Sequence, residues 1–87
     1  MQLYKIYTEN KNYDEIIAIV RSAFDGFTVT QAHGFCDDKG EHSLIIDIIT
    51  GPGQEQRVYD LAWDIMKHNN QESVLVIAMP CGTKFVR

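Results

Sequence analysis

An α+β fold, with one four-stranded antiparallel sheet and two helices on a single face of it, is predicted by two features of this sequence, and a third says what must happen on the sheet's other face. Segments of alternating or continuous apolar character and segments of helical period follow one another as strand, helix, strand, strand, helix, strand. The connections are short and built from turn residues, among them Asp25-Gly26, Asp37-Asp38-Lys39-Gly40 and Gly51-Pro52-Gly53. Two runs of strand length, Leu44-Ile45-Ile46-Asp47-Ile48-Ile49 and Val74-Leu75-Val76-Ile77-Ala78-Met79, are apolar on both sides, where a sheet with one solvated face would alternate cleanly; two helices cover one face only, so another copy or a ligand is expected on the other.

The first strand is expected from about Gln2 to Thr8. Asn12 is placed as the N-cap of the first helix, with Glu15 three residues on as its capping-box partner. Tyr13, Ile16, Ile17, Val20 and Phe24 then recur at helical spacing. The second strand runs from Phe27 to about Cys36 and the third from about Glu41 to Thr50, with Asp37 to Gly40 as their turn. A second helix spans about Gln54 to His68. Its inner stripe is Val58, Leu61, Ala62 and Ile65, and Tyr59, Trp63 and Met66 are read as core flanking that stripe. Asn69-Asn70 supplies a left-handed stop. The last strand covers about Ser73 to Met79, and Lys84 to Arg87 form a tail that could add a short strand. This order is the split βαβ pattern of ferredoxin-like folds, and residues 1–87 are read as one such domain.

Net charge is −4, and lysines and arginines are scattered singly. The basic footprint of a nucleic-acid binder is therefore missing, and no nucleic-acid partner is expected. No apolar run approaches the ~18 residues of a membrane span, and the N-terminus lacks the basic start and apolar stretch of a signal peptide. Two cysteines, Cys36 and Cys81, are fewer than a small secreted domain usually carries. A cytoplasmic protein with free thiols and no membrane partner is the expectation.

Side-chain alternation sorts the strand residues between faces. Phe27 and Val29 on the second strand and Leu44, Ile46 and Ile48 on the third are the best core positions, so cross-strand partners must have an odd numerical sum. His33, Phe35 and His42 then fall on the helix-covered side or its rim, and Cys36, Thr28, Thr30, Ile45, Asp47 and Ile49 on the open side. On the first strand, Lys5 takes Leu3 and Tyr7 to the open side and leaves Tyr4 and Ile6 inside. The parity separates Cys36 from His33 and His42, which would otherwise suggest a zinc set, so no metal site and no cofactor are expected. Glu41 and Asp47 share a face but stand six residues apart, roughly 20 Å at ~3.4 Å per residue. They are too distant for paired acid–base work. Asp60 and Asp64 read as a solvated helix face, and no nucleophile elbow, Walker or dinucleotide fingerprint is present.

Asp47 stands apart because it interrupts an apolar run at the middle of the open face. A carboxylate there needs a partner, and Lys5 and Thr30 are the reachable ones. The expected role is an ion pair or hydrogen bond fixing the register of a subunit interface; the alternative is a ligand-binding or proton-transferring group. Cys81-Gly82-Thr83-Lys84 could offer amides and a lysine to an anion, but a simple terminal turn is the plainer reading.

The stretch Gly26-Phe27-Thr28-Val29-Thr30-Gln31-Ala32-His33-Gly34-Phe35 resembles the second strand of PII signal-transduction proteins, where G-x-T-V-x-x-x-x-G-F follows the first helix. The element order across residues 2–79 is also similar to that of PII relatives such as the CutA proteins. The resemblance implies a ferredoxin-like protomer, usually trimeric, with open sheet faces toward the centre and small-molecule effectors, often nucleotides, between subunits. The long PII loop between the second and third strands is reduced here to Cys36 to Glu41. The glycine-rich basic segment before the last strand is replaced by His68-Asn69-Asn70-Gln71-Glu72. No nucleotide contact therefore carries over to a residue of this chain. Taken together, the sequence suggests a non-enzymatic homo-oligomer, trimer or dimer, that acts as a binding or regulatory module. Lys5, Thr30, Ile45, Asp47 and Ile49 would lie at its interface or ligand site. The alternatives are an enzyme or carrier of the dimeric α/β-barrel type with a pocket on the open face, and a factor that docks a protein partner there.

Overall fold

A computed structural model describes all residues, 1–87. Its elements are β1 (Gln2–Glu9), α1 (Tyr13–Ala23), β2 (Thr28–Cys36), β3 (Lys39–Thr50), α2 (Glu55–His68) and β4 (Leu75–Pro80). All pairings are antiparallel and the strand order is β2-β3-β1-β4. This is the ferredoxin-like α+β arrangement expected from the sequence, with both β–α–β crossovers landing on one face.

The core lies between that face and the helices. Tyr4 and Ile6 of β1 and Leu44, Ile46 and Ile48 of β3 are buried against Ile16, Val20 and Phe24 from the first helix segment and Val58, Leu61, Ala62 and Ile65 of α2. Each fully buried isoleucine contributes about 1.5–3 kcal/mol relative to an exposed one. The helices are tied at one end by Arg57, which donates to the Ala23 carbonyl and lies 4.7 Å from the Phe24 ring centre.

The β2–β3 register has a constant sum of 75, for example Val29 opposite Ile46 and His33 opposite His42, so the odd parity holds along the hairpin. Its turn is tighter than expected. Cys36 pairs with Lys39, leaving Asp37 and Asp38 as a two-residue loop at φ 49° and 64°. Positive φ at both central residues matches the twist of the strands, and so β3 starts two residues before the expected Glu41. Gly40 then sits under His33: a Cβ there would lie 2.7 Å from His33 Nε2. Phe27 and Val29 are only half-buried, because β2 is an edge strand with one neighbour.

One helix-end expectation is corrected and another holds. Asn12 does begin α1, but it adopts φ 56° and its side chain caps nothing, so the capping box with Glu15 does not form. Its amide instead donates to Asn69 Oδ1 at 3.1 Å. Asn69, 1% exposed, donates in turn to Gln71 Oε1 at 3.1 Å and Thr8 Oγ1 at 3.4 Å, while the Thr8 hydroxyl donates to Gln71. This polar knot joins the ends of β1 and α2 to the start of α1. The left-handed stop itself falls on Asn70, at φ 53°.

The flank of α2 is also corrected. Trp63 is 57% exposed and Tyr59 42% exposed, because they overhang β4, the other edge strand, and nothing lies beyond it. Residues after Pro80 add no strand: the Cys81 N–H donates to the Met1 carbonyl at 3.1 Å and the chain then leaves the sheet.

Candidate functional site on the open sheet face

Antiparallel pairing places Leu3, Lys5 and Tyr7 of β1, Ile45, Asp47 and Ile49 of β3, and Leu75, Ile77 and Met79 of β4 on the face away from the helices. Most of these are apolar and none is fully buried: Ile49 is 52% exposed, Leu75 58% and Met79 39%. Four strands at ~4.8 Å spacing and about six paired residues at ~3.3 Å give this face a footprint of roughly 20 by 20 Å.

Lys5 and Asp47 are direct cross-strand partners near its middle, and Lys5 Nζ donates to Asp47 Oδ1 at 2.9 Å. Both side chains are 28% exposed. The hydrogen bond to Asp47 is the main reason the Lys5 ammonium titrates above its ordinary value of 10.5; partial desolvation opposes this, and the charges of Asp47 and Tyr7 add to it. Of the two partners expected for Asp47, Lys5 is thus in place and Thr30 is not. Thr30 stands opposite Ile45, and Asp47 faces Thr28. Parity identified the correct face, but the tight turn shifted the pairing by one same-face position.

Two shallow clefts border Ile49. One, of about 430 Å³, is lined by Met1, Ile49 and the tail residues Gly82, Thr83, Lys84 and Phe85. The other, of about 230 Å³, is lined by Gly26, Phe27, Thr28, Asp47 and Ile49. Asp47 on one side and Lys84 on the other thus flank an apolar floor with opposite charges. Lys84 belongs to the Cys81-Gly82-Thr83-Lys84 turn, and only the fold brings it beside Ile49.

Elsewhere, His33 and His42 face each other with ring centres 5.2 Å apart, and His33 stacks on Phe35. Cys36 is directed to Asp37, and no three His, Cys, Asp or Glu side chains converge. Cys36 and Cys81 are unpaired. No helix is long and apolar enough to cross a membrane.

Neither a protein-family model nor a curated protein matches the sequence. Among solved structures the chain is similar to a DUF3240 family protein from Shewanella baltica, with a TM-score of 0.79 and 17% sequence identity. The alignment covers 99% of this chain and 94% of that one. Matches extend to 130 chains of known structure, so the likeness defines a widely used small α+β fold and leaves activity to be argued from the site.

Proposed function

We propose that this protein is a non-enzymatic, homo-oligomeric binding or regulatory module, similar to PII-like and CutA-like proteins in protomer architecture, whose open sheet face is covered by another copy. The observation that carries this reading is the half-exposed apolar face with one compensated charge pair near its centre. Its footprint, roughly 20 by 20 Å or about 400 Å² in projection, is about half of the ~800 Å² per partner of a standard stable interface, so the contact would extend onto the flanking strand edges and tail. Lys5 and Asp47 would be desolvated together in such a contact, and a paired charge in an apolar interface fixes register better than it adds affinity. A small-molecule effector between subunits would occupy the clefts around Ile49, where Asp47 and Lys84 supply the polar contacts.

A second reading, a ligand pocket or active site of the dimeric α/β-barrel type, is favoured by one feature. Asp47 lines the smaller cleft beside Thr28 while its partner Lys5 lies on the other side. Two variants separate the readings. If Asp47 is an interface group, Asp47→Asn retains assembly with modest weakening, and Asp47→Ala weakens it more by stranding Lys5. If it is a ligand group, Asp47→Asn leaves the oligomer intact and removes the co-purifying small molecule from a native mass spectrum. Assembly and bound ligand unchanged in both variants would mean that the open face is not the functional surface.

A further inference from the structure

On the helix-covered side, an apolar groove of about 190 Å³ runs between α2 and β4, lined by Tyr59, Ala62, Trp63, Met66, Val74 and Val76. An enclosed apolar cavity of ~150 Å³ is enough to take benzene, so the groove has room for one aromatic ring. Beside it is an unpaired strand edge, because β4 has β1 as its sole neighbour. Free edges of this kind are templates for an added strand. The same chain carries an apolar pair with no seat: Phe85 is 85% exposed and Val86 90% exposed.

The protomer's own tail is directed away from this groove. Cys81 is held to Met1 on the β1 side, and Gly82 to Phe85 pass beside Ile49 on the open face. Val74 and Val76 point to the opposite face. Acidic groups stand near a different seat. Lys84 and Arg87 bracket Phe85 and Val86, while Glu55, whose carboxylate accepts from the Tyr59 hydroxyl at 2.9 Å, stands beside the groove and Glu72 precedes Val74 by two residues; the one cation known to lie against the lining is Lys67, its ammonium 6.0 Å from the Trp63 ring centre. Arg87 lies on the same side of the tail as Phe85, its guanidinium 5.6 Å from the ring centre. Cys81 to Thr83, extended, span about 10 Å, or two strand spacings of ~4.8 Å.

We infer that the tail Thr83–Arg87 of one copy adds as a strand to the free β4 edge of a second copy, seating Phe85 in the groove beside Trp63. This contact does not require the open face to be covered, but an exchanged tail takes Lys84 and Phe85 away from the cleft beside Ile49, leaving Asp47 as the polar group there.

Trp63 is the sole tryptophan, so its emission reports occupancy of the groove. The full chain and Phe85→Ser are compared by fluorescence over a dilution series from tens of micromolar to nanomolar. Phe85 is exposed, so the variant keeps its fold, which far-ultraviolet circular dichroism verifies. The expected result is an emission maximum that shifts to longer wavelength on dilution of the parent. In Phe85→Ser that midpoint should move to a roughly ten- to hundredfold higher concentration, as expected for losing one buried aromatic side chain. A short-wavelength maximum that is independent of concentration but lost in Phe85→Ser would place the tail in its own groove and overturn the proposal. A dilution shift that survives Phe85→Ser unchanged, or no shift in either protein, would overturn it as well.

Discussion

Ile45→Lys distinguishes a sheet face that is covered from one that is merely apolar. Ile45 is half-buried on the open side of β3, between Tyr7 and Thr30. In a lone protomer the lysine stem can lie along those neighbours and carry its ammonium into water, so the folding cost is expected to stay below about 1 kcal/mol. In an assembly that covers this face, the substitution loses about 1.5–3 kcal/mol of apolar burial per chain and adds a charge with no partner. Across a two-chain contact that is at least about 3 kcal/mol, or a hundredfold or more in dissociation constant. The control lies one residue away: Ile46 is fully buried in the core, so Ile46→Lys should unfold the chain outright. Sedimentation velocity over a concentration series, paired with urea unfolding, reads both quantities. In a Phe85→Ser background, which removes any tail contact, the expected outcome is a folded, dissociated Ile45→Lys and an unfolded Ile46→Lys. If Ile45→Lys assembles as the parent does, the open face is not the contact and the reasoning fails.

Other expectations follow from single interactions. Asn69→Ala should strand the Asn12 amide and open the knot at Thr8 and Gln71, costing about 1–3 kcal/mol. That is a fall in melting temperature of roughly 4–24 °C for a chain of this size, and a change under 2 °C would show that the knot is not structural. Asp38→Gly should stabilise the β2–β3 hairpin, because position 38 has φ 64° and glycine accepts positive φ without strain; a gain of about 0.5–1 kcal/mol is expected in urea unfolding, and a loss would refute the turn assignment. Lys5 and Tyr59 both titrate above their ordinary values because each donates a hydrogen bond to a carboxylate. Their folded forms favour the bound proton, so this stability is complete below the unfolded pKa values. It is lost as pH rises through the folded ones, in a window above about pH 10. Asp47→Asn combined with Tyr59→Phe should flatten the fall in melting temperature across that window, and an unaltered profile would contradict the two hydrogen bonds.

The sheet and the division of residues between its faces were legible because alternation is a local property. Leu44, Ile46 and Ile48 had to share a side, and that settled Ile45, Asp47 and Ile49 on the other. The finer register was not legible, since it depends on how many residues the turn holds. Asp37-Asp38 in two left-handed positions does not look like the usual Asn-Gly, and the reading of a longer turn assigned Thr30 to Asp47 in place of Thr28. Trp63 and Tyr59 looked like core because helical spacing cannot tell a flank covered by a sheet from one overhanging its edge. Asn12 and Asn69 were each assigned a cap by residue type. Their mutual hydrogen bond joins positions 57 residues apart, and no local pattern encodes it. Lys5 with Asp47 was found because a lone charge on each of two apolar strands has few other partners.

A native mass spectrum of the unmutated chain, sprayed at low micromolar concentration with bound small molecules retained, tests the proposed assembly most directly. The protomer is 10.0 kDa. Species at a small whole multiple of that mass, persisting in Phe85→Ser and reverting to the single chain when Ile45→Lys is added to it, are the expected result. A single 10.0 kDa species persisting at tens of micromolar would contradict the account.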